Sequence, residues 1–325
     1  MQNLKKIIDN ENNKKFLFTP GPPSLSLENI NMLKPCFGRG DKEYEKIENK
    51  VLDKLKKLSG KQKIVRMQGS GSTAIELMIN NFLYGNILVI STGVYSDRLL
   101  SISKDQKKVF KFIKNIETVH WSKISNVNKK YDWIVACYTE TSVALKIDIL
   151  ELKKLAKKSK SKLMIDATAS IGLEKNHNVA DVLSFSSCKG LFGLTGAGFV
   201  CYDNNPRNEV SSFIQNLQNH LNKKMTGPYH TIYSLHKILE NYEDFKFSVK
   251  VNKEKFIRWA KNELIYPKRN EPLLCTYVNK KIYARNKNVV LYQSRAKIDG
   301  SVVCHLGEVH LKKKSKGKII ENLKF

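Results

Sequence analysis

The chain has 325 residues, 41% of them hydrophobic, with 14 Phe, 13 Tyr and 3 Trp, enough for one large domain with a sizeable core and a smaller one. Its 57 basic residues against 30 acidic ones give a formal charge of +27, but only eight of the basic residues are arginine, and the lysines run along the whole length. With no recognition-helix, zinc-finger or RNP-type motif, this charge reads as a solvated lysine coat and excludes a nucleic-acid partner, while its positive field would attract anionic substrates.

No apolar run approaches the roughly 18 residues of a membrane span, and the opening MQNLKKIIDNENNKK lacks a signal peptide's apolar core. Cys36, Cys137, Cys188, Cys201, Cys275 and Cys304 show no CxxC spacing. They are expected to be free thiols in a cytoplasmic protein, with no metal site and no disulfide framework.

In chain order, FLFTPGPP (16–23) is extended, because its prolines exclude helix, and Gly21 allows a close backbone approach to a ligand. Apolar residues at helical spacing from Tyr44 to Leu58 predict a packing helix over 41–58. Ile64–Met67 predicts a short strand, followed by Gly69-Ser70-Gly71-Ser72 and a helix through Phe82. A strand, a glycine-serine loop and a helix start present free N–H groups and hydroxyls to an anion. The loop lacks the endings of nucleotide and dinucleotide loops, so it suits a single phosphate.

Further strands are predicted at 87–90, 133–137, 162–166, 182–185 and 198–202. Helices are predicted after STGVYSDRLL begins at 91, at 149–156, 209–221 and 231–241. Beyond 245 the pattern changes to short strands (273–277, 289–292, 301–304) and a terminal helix near 316–324, with the basic run 311–318 read as solvated surface. The alternation defines an α/β domain over 1–245, its N-terminal arm being 1–40, and a small α+β domain over 246–325. In a mainly parallel sheet, ligands gather at the carboxyl ends of the strands. Ser70, Tyr95, Thr141, Asp166 and Lys189 all fall there. An acid ending one buried strand and a lysine just past the next suit pyridoxal 5'-phosphate, which needs an amine to attach to and a carboxylate for its ring nitrogen.

With these residues collected, the chain resembles the class V aminotransferases of fold type I, closest to the branch of 2-aminoethylphosphonate–pyruvate and alanine/serine–glyoxylate aminotransferases. The likeness rests on FTPGPPS (18–24), QGSGSTAIE (68–76), TGVYSDR (92–98), TETS (139–142), IDATASIG (165–172) and SSCKGLFGLTGAGF (186–199), six motifs in the family's order. It implies that Lys189 carries the cofactor and moves the substrate proton, Asp166 pairs with the pyridine nitrogen and Tyr95 stacks on the ring. It further implies that Ser70, Gly71 and Ser72 hold the phosphate, that Thr141 contacts the cofactor, and that Thr226 reaches the phosphate of a partner subunit in a homodimer with shared sites. Cys188 stands where the family usually has Asn or Gln and reads as a buried structural cysteine.

The chain departs from the pattern at SVVCHLGEV (301–309), where Val302 takes the place of the arginine that clamps a substrate carboxylate. Arg295 and His305 are the nearest replacement cations, with Arg39 a further one, and Gly21 joins them as a substrate-side residue. The expected activity is transfer of an amino group between a small amino compound and a 2-oxo acid or aldehyde. The alternative is a lyase, a decarboxylase or an aminotransferase of a non-carboxylate substrate.

Overall fold

The computed structural model describes residues 2–23, 25–31, 33, 37–307 and 319–325. After a helix at Gln2–Asn12, the large unit runs α1 (Lys42–Ser59), β1 (Lys63–Gln68), α2 (Gly71–Phe82), β2 (Gly85–Ser91), α3 (Val94–Val109), β3 (Ile113–His120), β4 (Trp133–Cys137), α4 (Ile149–Ser159), β5 (Lys162–Asp166), β6 (Val182–Ser186) and β7 (Ala197–Tyr202). There follow α5 (Tyr229–Glu240), α6 (Tyr242–Trp259), β8 (Cys275–Val278) and β9 (Ser301–Cys304).

The central sheet has seven strands in the order β1-β7-β6-β5-β4-β2-β3. Only β7 runs antiparallel to its neighbours. Its inner strands are apolar throughout because both faces are covered. Strand alternation divides their side chains between two cores: Ile134, Ala136, Leu163, Ile165, Leu183 and Phe185 enter one, and Trp133, Val135, Met164 and Val182 the other.

Local chemistry sets where the helices begin and end. Asp41 caps α1 by accepting from the N–H groups of Glu43 and Tyr44, and Gly60 stops it at φ 66°. Ser70 and Thr73 form a reciprocal capping box at the start of α2, which fixes the phosphate-type loop against β1.

Several expectations are corrected. The 209–221 helix shrinks to Leu217–Leu221. Asn216 donates to the Val210 carbonyl, an acceptor that a helix here would need, while Asn208 donates to the Asn80 and Leu83 carbonyls at the end of α2. Beyond 245 the chain first forms α6, whose Phe245, Val249, Asn252, Lys253 and Phe256 share one buried face. The expected division at 245/246 therefore falls inside a helix. The strand Phe16–Phe18 pairs in parallel with Val289–Leu291, so part of the N-terminal arm joins a strand from beyond residue 245. Near the C-terminus, a 3-10 turn at Ile319–Asn322 leads into a short strand, Leu323–Lys324, which pairs with Tyr283–Ala284. The basic run 311–318, Ser24, Cys36 and the Glu308-Val309 end of the LGEV motif lie outside the described residues.

Candidate active site

The site forms where the carboxyl ends of β1, β2, β4, β5 and β6 meet. Lys189 follows β6 by three residues, and its Nζ lies 4.8 Å from the ring centroid of Tyr95, at the start of α3. Asp166 ends β5, is 4% exposed, and accepts from the Thr168 N–H through Oδ1 at 2.9 Å. None of the described residues donates to its second oxygen, which leaves that oxygen for a ring N–H. Burial raises the Cys137 thiol well above its usual value; the nearby Asp166 and Glu140 carboxylates raise it further, and Lys189 pulls it back. One buried atom therefore senses both the acid and the lysine.

The phosphate-type loop joins this group through Gly71. A Cβ there would stand 3.0 Å from Thr168 Oγ1 and 3.6 Å from Ser186 Cβ, so the start of α2 sits directly beside the Asp166 turn. Gly21 closes the other side. Its φ is +119°, and a Cβ would stand 2.9 Å from the Cys188 carbonyl oxygen and 3.2 Å from Lys189 Cγ. Only glycine lets the arm lie against the lysine. Gly21, expected to approach a ligand, lies directly against Lys189.

The TETS turn supplies two different things. Thr139 and Thr141 are buried hydroxyls without a hydrogen-bond partner among the described residues, as is Thr168. Glu140 is fully buried and accepts from Tyr95 N, Ser96 N, Ser142 N and the hydroxyls of Thr92 and Ser142. Burial raises its carboxyl pKa, and these bonds oppose the shift. Glu140 thus ties the β4 turn to the first turn of α3 and sets the position of Tyr95. Sequence reading passed over it; the one available signal was an acid between two threonines at a strand end.

The substrate side is less cationic than expected. Val302 is 2% exposed and packs in the main core. His305, just past the end of β9, is buried, bonded to Thr276 Oγ1 at 2.9 Å and tilted against Phe256. Burial holds its pKa well below the usual histidine value, so it is a neutral interior ring that supplies no cation for a substrate. Arg295 and Arg39 are exposed. Arg295 sits in a loop whose Ser294 hydroxyl donates to the Ser142 carbonyl, docking the loop on the TETS turn. Thr226 is exposed, and Cys188 is half-buried with Sγ 3.8 Å from Ser186 Oγ. Two residues that sequence reading did not single out also belong here. Arg98 donates to Ser72 Oγ at 2.9 Å. Tyr292 has Tyr95 and Cys304 as electrostatic neighbours, and burial first, then Tyr95, pushes its phenol pKa up.

Orphaned threonine hydroxyls, a helix start, an acid with a free oxygen and an amine over an aromatic ring fit pyridoxal phosphate group by group. The fold and these groups define a fold type I enzyme that uses this cofactor. The chain belongs to the class-V aminotransferase family, which matches it over residues 36–221. It is similar to a protein of Pseudomonas putida named 2-aminoethylphosphonate–pyruvate transaminase, 23% identical over 71% of this chain and 70% of the relative. A Clostridioides difficile protein named bifunctional phosphonoacetaldehyde hydrolase/aminoethylphosphonate transaminase is 26% identical over 88% of this chain and 49% of its own length. In fold it matches alanine–glyoxylate aminotransferase from a Nostoc species with a TM-score of 0.76, at 16% identity over 95% of this chain and 94% of the other. No helix among the described residues is long and apolar enough to cross a membrane.

Proposed function

We propose that this aminotransferase moves an amino group from a small donor of the 2-aminoethylphosphonate kind to a 2-oxo acid, in a cytoplasmic homodimer, with Lys189 as its catalytic residue. The observation that carries the reading is the Lys189 amine held 4.8 Å from the centre of the Tyr95 ring, with Asp166 ending the adjacent strand. Bound pyridoxal phosphate supplies a carbonyl carbon that takes up an amine and a ring that draws electrons from the α-carbon. Lys189 would anchor it and, as the general base, would move the proton at the donor's amino-bearing carbon. Asp166 holds the ring nitrogen with its free oxygen. Tyr95 covers one ring face, and Thr141 contacts the ring's substituents. Ser70, Gly71 and Ser72 bind the phosphate at the start of α2.

The names of the relatives favour a donor of the 2-aminoethylphosphonate kind. The test offers 2-aminoethylphosphonate, serine, alanine and aminated sugars in turn, each with pyruvate and with glyoxylate, and follows formation of the new amino acid. 2-Aminoethylphosphonate should give the highest kcat/KM. If alanine or serine leads by more than about tenfold, roughly 1.4 kcal/mol, the donor assignment is wrong.

The exposure of Thr226 supports the shared-site reading: its hydroxyl is available to a second subunit. Thr226→Ala should weaken the cofactor by about tenfold, one charge-assisted hydrogen bond. Mixing Thr226→Ala with Lys189→Ala should then restore activity toward one intact site per hybrid dimer. No restoration after verified subunit exchange would contradict the sharing of sites.

A further inference from the structure

We infer that Arg98, one turn beyond Tyr95 on α3, is a phosphate-binding cation of this site, a role that rests on the cofactor reading above. Its Nη1 donates to Ser72 Oγ at 2.9 Å, and Ser72 is the second residue of α2. Its Cζ lies 5.1 Å from the centroid of the Tyr95 ring, the same ring that has Lys189 Nζ at 4.8 Å. Both cations are half-buried, and among the described residues neither has a carboxylate within ion-pair distance. The nearest acid in this turn, Glu140, has its oxygens taken up by N–H and hydroxyl groups at residues 92–96 and 142.

Two partly desolvated cations and the positive end of a twelve-residue helix therefore converge, with no carboxylate among the described residues within ion-pair distance of either cation. Such a grouping calls for an anion of more than one negative charge, which a phosphate monoester has at neutral pH. The guanidinium fork suits it. One N–H holds Ser72, and the other donors remain for phosphate oxygens in a geometry that a lysine would not reproduce. The bond to Ser72 decides between the phosphate and a substrate anion, because it keeps the guanidinium at the α2 terminus rather than at the Tyr292–Val302 side.

The test titrates apoenzyme with pyridoxal phosphate and, separately, with pyridoxal, which lacks the phosphate, and reads binding from the visible absorption of the attached cofactor. Wild type, Arg98→Gln and Arg98→Lys are compared, with thermal unfolding of each apoprotein as the folding control. Arg98→Gln should weaken pyridoxal phosphate about 10- to 100-fold, the worth of one charge-assisted contact, and leave pyridoxal within about twofold. Arg98→Lys, which keeps the charge and loses the fork, should fall between the two. Equal weakening toward both ligands would overturn the proposal, since it would mean that Arg98 merely supports Tyr95. No change toward either would overturn it as well. Should Arg98→Gln fail to fold, the lysine variant still decides by the same ratio. A wild-type protein that takes up neither ligand would instead sink the cofactor reading, so the two failures are distinguishable.

Discussion

Lys189→Ala is expected to cut turnover by at least ~10³-fold while leaving the fold intact, the largest effect of any single substitution in this chain. The side chain is half-buried and surrounded by groups that make no demand on it for stability. It has no ion-pair partner among the described residues, and its main contacts are the Tyr95 ring and Gly21. Truncation therefore removes the amine without opening a core cavity, so the apoprotein should unfold within a few degrees of wild type. Pyridoxal phosphate should still enter, held by the α2 terminus, but reversibly and without its covalent link. Steady-state rates, together with dialysis of the loaded protein, check both halves. Retained turnover within tenfold of wild type would exclude Lys189 as the proton carrier.

Glu48 carries the second large effect, and it is on stability. Its carboxylate is fully buried on α1, accepts from Arg66 Nε at 2.7 Å and Lys223 Nζ at 2.6 Å, and receives the Tyr44 hydroxyl at 3.1 Å. Glu48→Ala would leave the Arg66 guanidinium, itself about 6% exposed, as a buried charge without a partner, at a cost of roughly 3–5 kcal/mol. The damage extends to the site. Gly227 rests on that guanidinium so closely that a Cβ would stand 2.5 Å from Cζ, and Thr226 is its neighbour. Loss of Glu48 should thus loosen the turn that carries Thr226.

The pH dependence follows from the sign of the shift. Burial alone would raise the Glu48 carboxyl, but hydrogen bonds from Lys223 and Arg66 and the Arg66 charge outweigh it and hold the pKa below the usual value. A depressed folded-state value means that the stabilisation is present above the unfolded glutamate value of about 4.3 and is lost as pH falls through the folded one. Denaturant unfolding of wild type and Glu48→Ala should differ most near neutrality and converge in acid. A gap that stays constant with pH would exclude the ionised carboxylate as its source.

Much of the sheet was legible because buried parallel strands are written as short apolar runs. Trp133–Cys137, Lys162–Asp166 and Ser301–Cys304 were each delimited to the residue. The edge strand Ile113–His120 was missed, since its solvent-facing positions carry Lys114, Asn115 and Thr118 and break the run. α6 was missed for a related reason: its buried face includes Asn252 and Lys253, the latter bonded to the Pro272 carbonyl and paired with Glu271, so its apolar periodicity is diluted.

At the site, the residues expected to carry motif chemistry were singled out from order and spacing. Those that act through geometry were not. Arg98 is one of eight arginines until α3 turns it toward Ser72, and Glu140 is a strand-end acid until five donors converge on it. His305 shows the converse. Proximity in sequence suggested a substrate cation, but the chain leaving β9 buries the ring against Thr276 and Phe256.

The most direct measurement is to load the protein with pyridoxal phosphate, reduce it with borohydride to make the attachment permanent, digest it and locate the modified residue by mass spectrometry. With 49 lysines in the chain the outcome is discriminating. The modification should fall on the peptide containing Ser186–Leu191, at Lys189. Its appearance on any other lysine, or on none, would contradict the assignment of this site.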